Sequence, residues 1–462
     1  MTIKAVAASA SVILSLAVAT LPAHSAGAGS TELQSVLAEM QAMRSELRTV
    51  NSRLAALEAT NSSLQDRNQQ LEAVVERREA EVDYLKSQTQ ELRKEGAEVA
   101  ADLDKVKGAD WATRIKLRGD LRVRSEMVTQ ERVVNGTAED AADRSRARFR
   151  ARFGFDAQVT DHSKVVMQLA SGGDDPRSSN QTFTDVATRK GVGVDLAYAD
   201  WRFVPGANLT LGKSKYPFWR PAQSFIYDAD FNPEGGAVAF ERGALFGSTY
   251  GWWLAERFNS APEANNADTI LLGAQLGLKF PLLGGESRVA VHYYDLGGGQ
   301  YSNPFYSGNS FGNTTITQVS GTTAIQVLKY DYDVLLLSGE MGLAVGELPL
   351  SLWAEYGRNL APDVEYDTTW AMGATLGKAG SPQTWELGLL YESMDKDAMF
   401  AQIIDSDFGD GTTDIEGWAL RGGYAPVKNV TLFGTYMMNT RNKDVGVELD
   451  YERLQLDVNY RF

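Results

Sequence analysis

The sequence predicts an all-β transmembrane barrel of about 16 antiparallel strands, preceded by a long α-helical coiled coil. Three observations carry this prediction: a heptad repeat over residues 33–106, a change of apolar period from about 3.5 to 2 beyond residue 111, and a strictly alternating final segment. In that segment the residues between apolar positions are all polar; the apolar ones are Leu454, Leu456, Val458, Tyr460 and Phe462. A period of two produces one apolar face and one wet face, as in a β-strand.

The final strand of a membrane barrel must close against the first strand, and its lipid face must be apolar. An ordinary edge strand is the alternative interpretation of this segment. The spacing of Val458, Tyr460 and Phe462 resembles the C-terminal signature that outer-membrane assembly machinery reads. We therefore expect these three residues to act as a barrel-assembly signal, with that machinery as a partner.

Composition and the N-terminal segment predict the compartment. The chain has 462 residues, no Cys and a formal net charge of −15, and this acidic balance argues against nucleic acid as a partner. Residues 1–28 read as a secretory signal peptide, with Lys4 in the basic region and Ala5–Val18 in the apolar region. No later stretch of about 18 apolar residues follows, so no spanning helix is predicted. An exported chain of this kind is expected in the outer membrane of a diderm bacterium, surrounded by its lipid.

Residues 30–107 are predicted to form a periplasmic coiled coil. A strict seven-residue repeat without Pro indicates a left-handed supercoil rather than a globular helix, and a single solvated helix is the alternative. Asn61 and Asn68 occupy successive a positions, where they are expected to fix the register. Because a coiled coil needs partner helices, we expect a homo-oligomer.

Residues 112–462 are predicted to form the barrel. Short turns alternate with long loops over 128–143, 172–192, 216–236, 296–328 and 395–413. This alternation is typical of bacterial outer-membrane barrels, and an even strand count puts both barrel ends in the periplasm. Aromatic residues near strand ends suit interfacial girdles, although ordinary strand aromatics would look the same; they are Trp252, Trp253, Trp353, Tyr356, Trp370, Trp385, Tyr391, Trp418, Tyr436 and Tyr460.

The first two strands carry a strip of basic residues. An Arg facing lipid near the midplane costs about 2–4 kcal/mol, so the charged faces of these strands must line a wet interior. The predicted pore-lining residues are Lys116, Arg118, Arg122, Arg124, Arg146, Arg148, Arg150 and Arg152. The strip is either an ion-selective wall that concentrates small anions or a structural strip paired to Asp and Glu from an inward loop or the opposite wall.

Two long loops are candidates for special roles. Loop 296–328 either folds inward as a constriction or lies on the surface, and the Asp-rich loop 395–414 is either a cation ligand or, more commonly for such a run, a solvated surface loop. No metal site is predicted. After the signal only His162 and His292 remain, and no catalytic motif appears. We therefore predict no enzyme activity, no catalytic residues and no cofactor.

Three segments in order along the chain, Lys116–Arg124, Leu211–Phe218 and Asp228–Val238, together with the closing strand, resemble the "putative porin" family of bacterial outer-membrane proteins. The resemblance implies a non-enzymatic pore, often with an N-terminal coil, and porin barrels favour a trimer. The predicted function is passive diffusion of small hydrophilic solutes or ions through a water-filled barrel that the coil oligomerises. The alternative is a structural envelope spacer or tether with a plugged barrel, whose rod contacts peptidoglycan or a periplasmic partner.

Overall fold

A computed structural model describes residues 67, 75–96, 113–257, 268–304, 306, 308–320 and 322–462. The chain divides into two units, 1–107 and 108–462. In the first unit Arg67 and residues 75–96 are helical. The predicted signal peptide, the remainder of the predicted coil, Asn61 and Asn68 lie outside the described residues. No helix within the described part of the chain is long and apolar enough to cross a membrane.

The second unit is a barrel of sixteen strands, as predicted. The strands are β1 (Ile115–Val134), β2 (Arg144–Thr160), β3 (Ser163–Ser171), β4 (Val192–Val204), β5 (Ala207–Lys213), β6 (Glu234–Arg242), β7 (Leu245–Ala255), β8 (Thr269–Leu282), β9 (Gly285–Gly297), β10 (Asp333–Val345), β11 (Leu348–Asn359), β12 (Thr368–Gly377), β13 (Thr384–Met394), β14 (Ile415–Val427), β15 (Val430–Arg441) and β16 (Leu449–Arg461). Each strand pairs antiparallel with the next one in the chain.

The barrel closes where β16 pairs with β1. The register runs from Asp120 opposite Arg461 to Gln130 opposite Tyr451. Beyond this ladder the N–H of Phe462 donates to the carbonyl of Gly119 at 3.0 Å, and the N–H of Gly119 donates back at 2.9 Å. Closure leaves the barrel without an unpaired strand edge. A sheet that spans a membrane must be closed in this way, because lipid offers no hydrogen-bond partners. The assembly-signal role of Val458, Tyr460 and Phe462 stays a prediction.

The turns are short at the end of the barrel that holds Ile115 and Arg461. Two residues suffice at 161–162, 205–206 and 346–347, and Gly206 (φ 82°) adopts the left-handed conformation that such a turn requires. The long loops lie at the opposite end. Three short additions sit among them: Thr137–Asp140 pairs with β1, Gln181–Thr182 pairs with β2, and Thr315–Ser320 forms a separate hairpin with Thr323–Leu328.

The period-two pattern sets which residues face outward. On β1, Leu117 is 62% exposed whereas Arg124 is 4% exposed, so the apolar face points outward and the charged face points into the barrel. The girdle prediction fails at Trp252 and Trp353, which are buried. Trp252 shares its strand face with Phe246 and Tyr250, which point inward, so its position near a strand end does not bring it to the lipid interface.

A hydrophobic core lies inside the barrel. It is built by two segments, which we call the first inner loop (214–233) and the second inner loop (395–414), packed against the inward faces of β6–β15. Phe218 of the first loop lies 5.6 Å from the Tyr250 ring and 4.2 Å from the His292 ring. Phe408 of the second loop stacks on Phe225 at 5.3 Å. The interpretation of 395–414 as a solvated surface loop is therefore wrong.

Loop 296–328 does not form a constriction by itself. It packs on the second inner loop and covers it. The side-chain amide of Asn313 donates to the carbonyls of Lys396 (3.1 Å) and Met399 (2.9 Å), and its oxygen accepts the N–H of Ala401 (2.8 Å). Asn313 is 3% exposed. The three loops therefore form a layered insert on the long-loop side of the barrel.

Candidate functional site

The basic strip places like charges opposite one another across two paired strands. Arg122 is the register partner of Arg150, and Arg124 is the partner of Arg148. Directly opposed like charges destabilise a strand pair unless counter-charges or water intervene. The residues that supply these counter-charges therefore determine how the strip is stabilised.

Some counter-charges come from the same two strands. Asp120 accepts hydrogen bonds from Arg150 at 3.0 Å and from Arg152 at 2.7 Å. Asp156 of β2 accepts from Arg118 at 2.9 Å. These carboxylates neutralise the part of the strip nearest the short turns.

Glu126 has the same role farther along β1. Its side chain is fully buried and accepts a short hydrogen bond from Arg146. Its other oxygen lies 3.7 Å from Arg148 and accepts from the Gln455 amide at 3.3 Å. A buried carboxylate keeps its charge only when it is paired in this way.

Other counter-charges come from the inner loops and from β16. Asp407 of the second inner loop lies 2.8 Å from Arg124 and 2.7 Å from Arg453, and Asp457 of β16 lies 2.7 Å from Arg124. Asp230 of the first inner loop lies 3.3 Å from Arg150. Each inner loop is thus tied to the basic wall by a carboxylate.

Arg177 and Gln275, which the sequence did not single out, hold the inner loops in place. Arg177 donates to the carbonyls of Ala401 (3.1 Å) and Gly411 (2.9 Å) and lies 3.8 Å from the Phe311 ring. Gln275, on the inward face of β8, accepts the N–H of Trp219 at 2.8 Å and donates to its carbonyl at 2.7 Å. Neither residue belongs to a local motif, so spacing gives no signal for these contacts.

A polar cavity of about 470 Å³ lies between the basic wall and the inner loops. Its lining combines β1, β2 and β14–β16 with both loops. The charged lining residues are Arg122, Arg124, Arg150, Arg152, Arg177, Lys215, Asp228, Asp230, Asp405, Asp407, Arg421, Asp457 and Arg461. Of the eight predicted pore-lining residues, the structure brings Arg122, Arg124, Arg150 and Arg152 to this cavity; Lys116, Arg118, Arg146 and Arg148 lie elsewhere on the wall.

Two loop carboxylates, Asp228 and Asp405, face the cavity, and that of Asp228 joins the inner loops to each other. Asp228 accepts the N–H groups of Asp230 (2.6 Å) and Phe231 (3.2 Å) in its own loop and that of Ser406 (3.0 Å) in the other. Burial, followed by repulsion from Asp405, raises the pKa of Asp228 well above its usual range. Burial, followed by repulsion from Asp407, raises the pKa of Asp405 to about 6.

This raised pKa predicts how stability depends on pH. In the unfolded chain the pKa of Asp405 returns to about 3.9, so the folded barrel binds the proton more tightly and loses stability as pH rises from about 4 to about 6. Asp405→Asn keeps the acceptor for the N–H groups of Asp407 (2.8 Å) and Phe408 (3.0 Å). We expect the variant to flatten this slope and to be more stable than the native chain at pH 7, measured by denaturant unfolding of the folded barrel.

The control is Asp363→Asn, which removes an exposed carboxylate in another loop. It should leave the slope unchanged. Burial still raises the pKa of Asp228 in both variants, whereas Asp405→Asn removes the repulsion that Asp405 adds. If the Asp405→Asn barrel kept the full native dependence of stability on pH and were no more stable than the native chain at pH 7, the raised pKa assigned to Asp405 would be wrong.

The Asp residues of the second inner loop are engaged in contacts within the protein. Asp397 accepts the N–H (2.8 Å) and hydroxyl (2.6 Å) of Thr314, and Asp395 lies 2.5 Å from Lys443. Asp410 lies 2.9 Å from Arg453. Within the described ranges, no group of three or more His, Cys, Asp or Glu side chains is arranged to hold a metal ion.

A closed sixteen-stranded antiparallel barrel with short turns at one end, long loops at the other and charged side chains inside defines a transmembrane β-barrel of the outer-membrane channel class. The family model described as "Putative porin" matches residues 127–326 and 341–462. The chain belongs to this family, which confirms the resemblance seen in the sequence. Its place is accordingly the outer membrane.

Solved structures of outer-membrane proteins resemble the chain at low sequence identity. OprB of Pseudomonas putida, in its high-pH structure, is 11% identical with a TM-score of 0.48, covering 76% of this chain and 95% of that one. The outer-membrane channel DcaP of Acinetobacter baumannii is 13% identical with a TM-score of 0.44, covering 75% and 97%. A loop-deletion mutant of OmpT of Vibrio cholerae is 12% identical with a TM-score of 0.44, covering 76% and 100%. No curated protein matches the chain.

Proposed function

We propose that the protein is an outer-membrane porin through which small hydrophilic solutes or ions diffuse passively along the basic wall. The observation that carries this proposal is the polar cavity of about 470 Å³ between that wall and the inner loops. A sixteen-stranded barrel is wide enough for an aqueous channel. Since most of the core lies against β6–β13, with only Ile415, Ala419 and Met437 from β14 and β15, the polar side along β1, β2 and β14–β16 is the route that we assign to solutes.

Single-channel recording in planar bilayers tests the proposal. The purified protein should give stable, stepwise conductance, and a salt gradient should give a reversal potential whose sign reports the charge preference of the route. A folded, heat-modifiable barrel that never conducts would overturn the porin function. No step in this function requires catalytic chemistry or a cofactor.

We propose further that helices of several copies, three by analogy with other porins, associate in the periplasm. The helix at 75–96 supports this because Val82, Leu85 and Leu92, which occupy a and d positions of the heptad, are each at least 45% exposed in the single chain. Side chains of this kind are buried when helices pair in a coiled coil. The outer-membrane lipid and the assembly machinery are the other proposed partners, together with peptidoglycan or a periplasmic protein at the coil.

A double substitution, Leu85→Asp with Leu92→Asp, should lower the mass of the solubilised oligomer. It puts two carboxylates into the apolar seam, where burying an unpaired charge is strongly unfavourable. Ser87→Asp on the opposite side of the same helix is the control and should keep the native mass. Light scattering measures both, and an unchanged mass for the double variant would show that the seam does not hold the oligomer together.

The second candidate function is an envelope spacer with a plugged barrel. The observation that favours it is the hydrophobic core inside the lumen, where Phe400, Ile403 and Phe408 are each about 1% exposed. Deleting residues 31–107 separates the two candidates. If the envelope detaches while solute uptake persists, the rod has the main role; if uptake persists with a normal envelope, the spacer function fails.

A further inference from the structure

Arg122 is the one member of the predicted basic strip on the cavity wall that has no carboxylate within salt-bridge distance among the described residues. Its hydrogen-bond partner is the neutral side chain of Asn180, whose oxygen accepts from the guanidinium at 2.6 Å. The Nε of Arg122 is buried and has no hydrogen-bond partner. Such a donor retains the capacity to bind a further acceptor.

Lys215 brings a second cation to the same cavity from the first inner loop. Its ammonium donates to the carbonyl of Ala229 at 3.1 Å, and among the described residues it forms no salt bridge with a carboxylate. The side chain is exposed to the lumen. Two of its three donors are therefore available to a solute.

Four cations converge on one carboxylate at this place. Arg122, Arg150 and Lys215 all act on Asp230, and together they hold the pKa of Asp230 well below its usual range although burial opposes them. Arg152 is a fourth cation at the same carboxylate, 3.6 Å away. Three further carboxylates lie near: Asp120, which Arg150 and Arg152 already share, Asp457, which acts on Arg122, and Asp195, which acts on Lys215.

We propose that Arg122 and Lys215, neither of which has an ion-pair partner among the described residues, form a binding site for small oxyanions inside the cavity. The proposal rests on the porin function and specifies the solutes that the route prefers. Charge-assisted hydrogen bonds to oxyanion oxygens are stronger than those to neutral groups. A site of this kind makes the solute flux saturate, whereas a merely wide pore gives a flux proportional to concentration.

Inorganic phosphate is the probe. In planar bilayers we expect phosphate to reduce the chloride current of the native protein in a saturable way. Arg122→Gln and Lys215→Gln should each raise the half-saturating phosphate concentration by about tenfold, as expected for the loss of one charge-assisted hydrogen bond. Because Lys215 is an exposed loop residue, its substitution tests the site even if Arg122→Gln fails to fold.

Arg118→Gln is the matched control, since it removes an Arg from the same strand face that is paired to Asp156 and lies outside the cavity. It should leave the phosphate effect unchanged. Conductance without any phosphate effect, or with equal effects in Lys215→Gln and Arg118→Gln, would overturn the site and leave the porin function standing.

Calorimetric titration of the detergent-solubilised protein with phosphate keeps the two proposals apart. Saturable binding that Lys215→Gln weakens, in a barrel that does not conduct, would support the site and overturn the porin function. If phosphate neither bound to the protein nor reduced the current, the proposed site would be overturned.

Discussion

Replacing the second inner loop (395–414) with a four-residue Gly-Ser linker should raise the single-channel conductance several-fold. The graft is geometrically feasible because Met394 at the end of β13 and Ile415 at the start of β14 are register partners, so a tight turn joins them. The replaced segment carries much of the core inside the lumen, including Phe400 and Phe408. Without it, the cross-section of a sixteen-stranded barrel becomes available to water.

The control graft replaces 442–448, which joins β15 to β16 between the register partners Arg441 and Leu449. No residue of that loop belongs to the core inside the barrel, and its contacts with the second inner loop, such as that of Lys443 with Asp395, are polar. Its replacement therefore keeps the core in place and should leave the conductance near the native value. Both chains must first show heat-modifiable migration, which reports a folded barrel. An unchanged conductance in the 395–414 graft would mean that this loop does not limit the flow.

Asp407→Asn should destabilise the barrel by roughly 3 kcal/mol, because it leaves two nearly buried guanidinium groups short of a counter-charge. Arg124 and Arg453 are 4% and 2% exposed, and each lies within 2.8 Å of Asp407. The loss stays at the lower end of the range for a broken buried pair, since Arg124 retains Asp457 and Arg453 retains Asp410. Denaturant unfolding measures the effect.

The same variant should also shift the reversal potential toward anions, since a negative charge leaves the cavity while the cations remain. Glu234→Gln is the control: its carboxylate lies 3.2 Å from Lys213 but is 66% exposed, so the change should be under about 1 kcal/mol. Native stability in Asp407→Asn would contradict the view that this carboxylate fastens the second inner loop to the wall.

The strands were predictable because their pattern is local. In β1 and β2 the alternation of apolar and charged residues separates the two faces, and the lipid cost of an Arg decides which face points inward. Turn residues such as those at 161–162 and 346–347 mark the ends of strands within the sequence itself. Neither inference requires knowledge of distant residues.

The insert inside the barrel was not predictable in this way. The second inner loop is rich in Asp, which is typical of a solvated loop, but its apolar residues at 398–401 and 403–404 are buried against strands that are distant in the sequence. Its Asp407 carboxylate is neutralised by Arg124 and Arg453, whose positions follow only from the closed barrel. The prediction that Trp252 belongs to an aromatic girdle was wrong because it relied on closeness to a strand end. The alternation of faces along the strand places this side chain inside the barrel.

The pairing of Arg124 has a consequence for the order of folding. Its two carboxylate partners lie 283 and 333 residues farther along the chain, on the second inner loop and on the closing strand. Contacts between residues so far apart in the sequence form late in folding, because the entropy cost of closing the chain between them must be offset first. Until the barrel closes, this guanidinium must stay hydrated, so strand closure and dehydration of the lumen become one cooperative step. A chain arrested before its final strand would therefore be expected to remain open and wet.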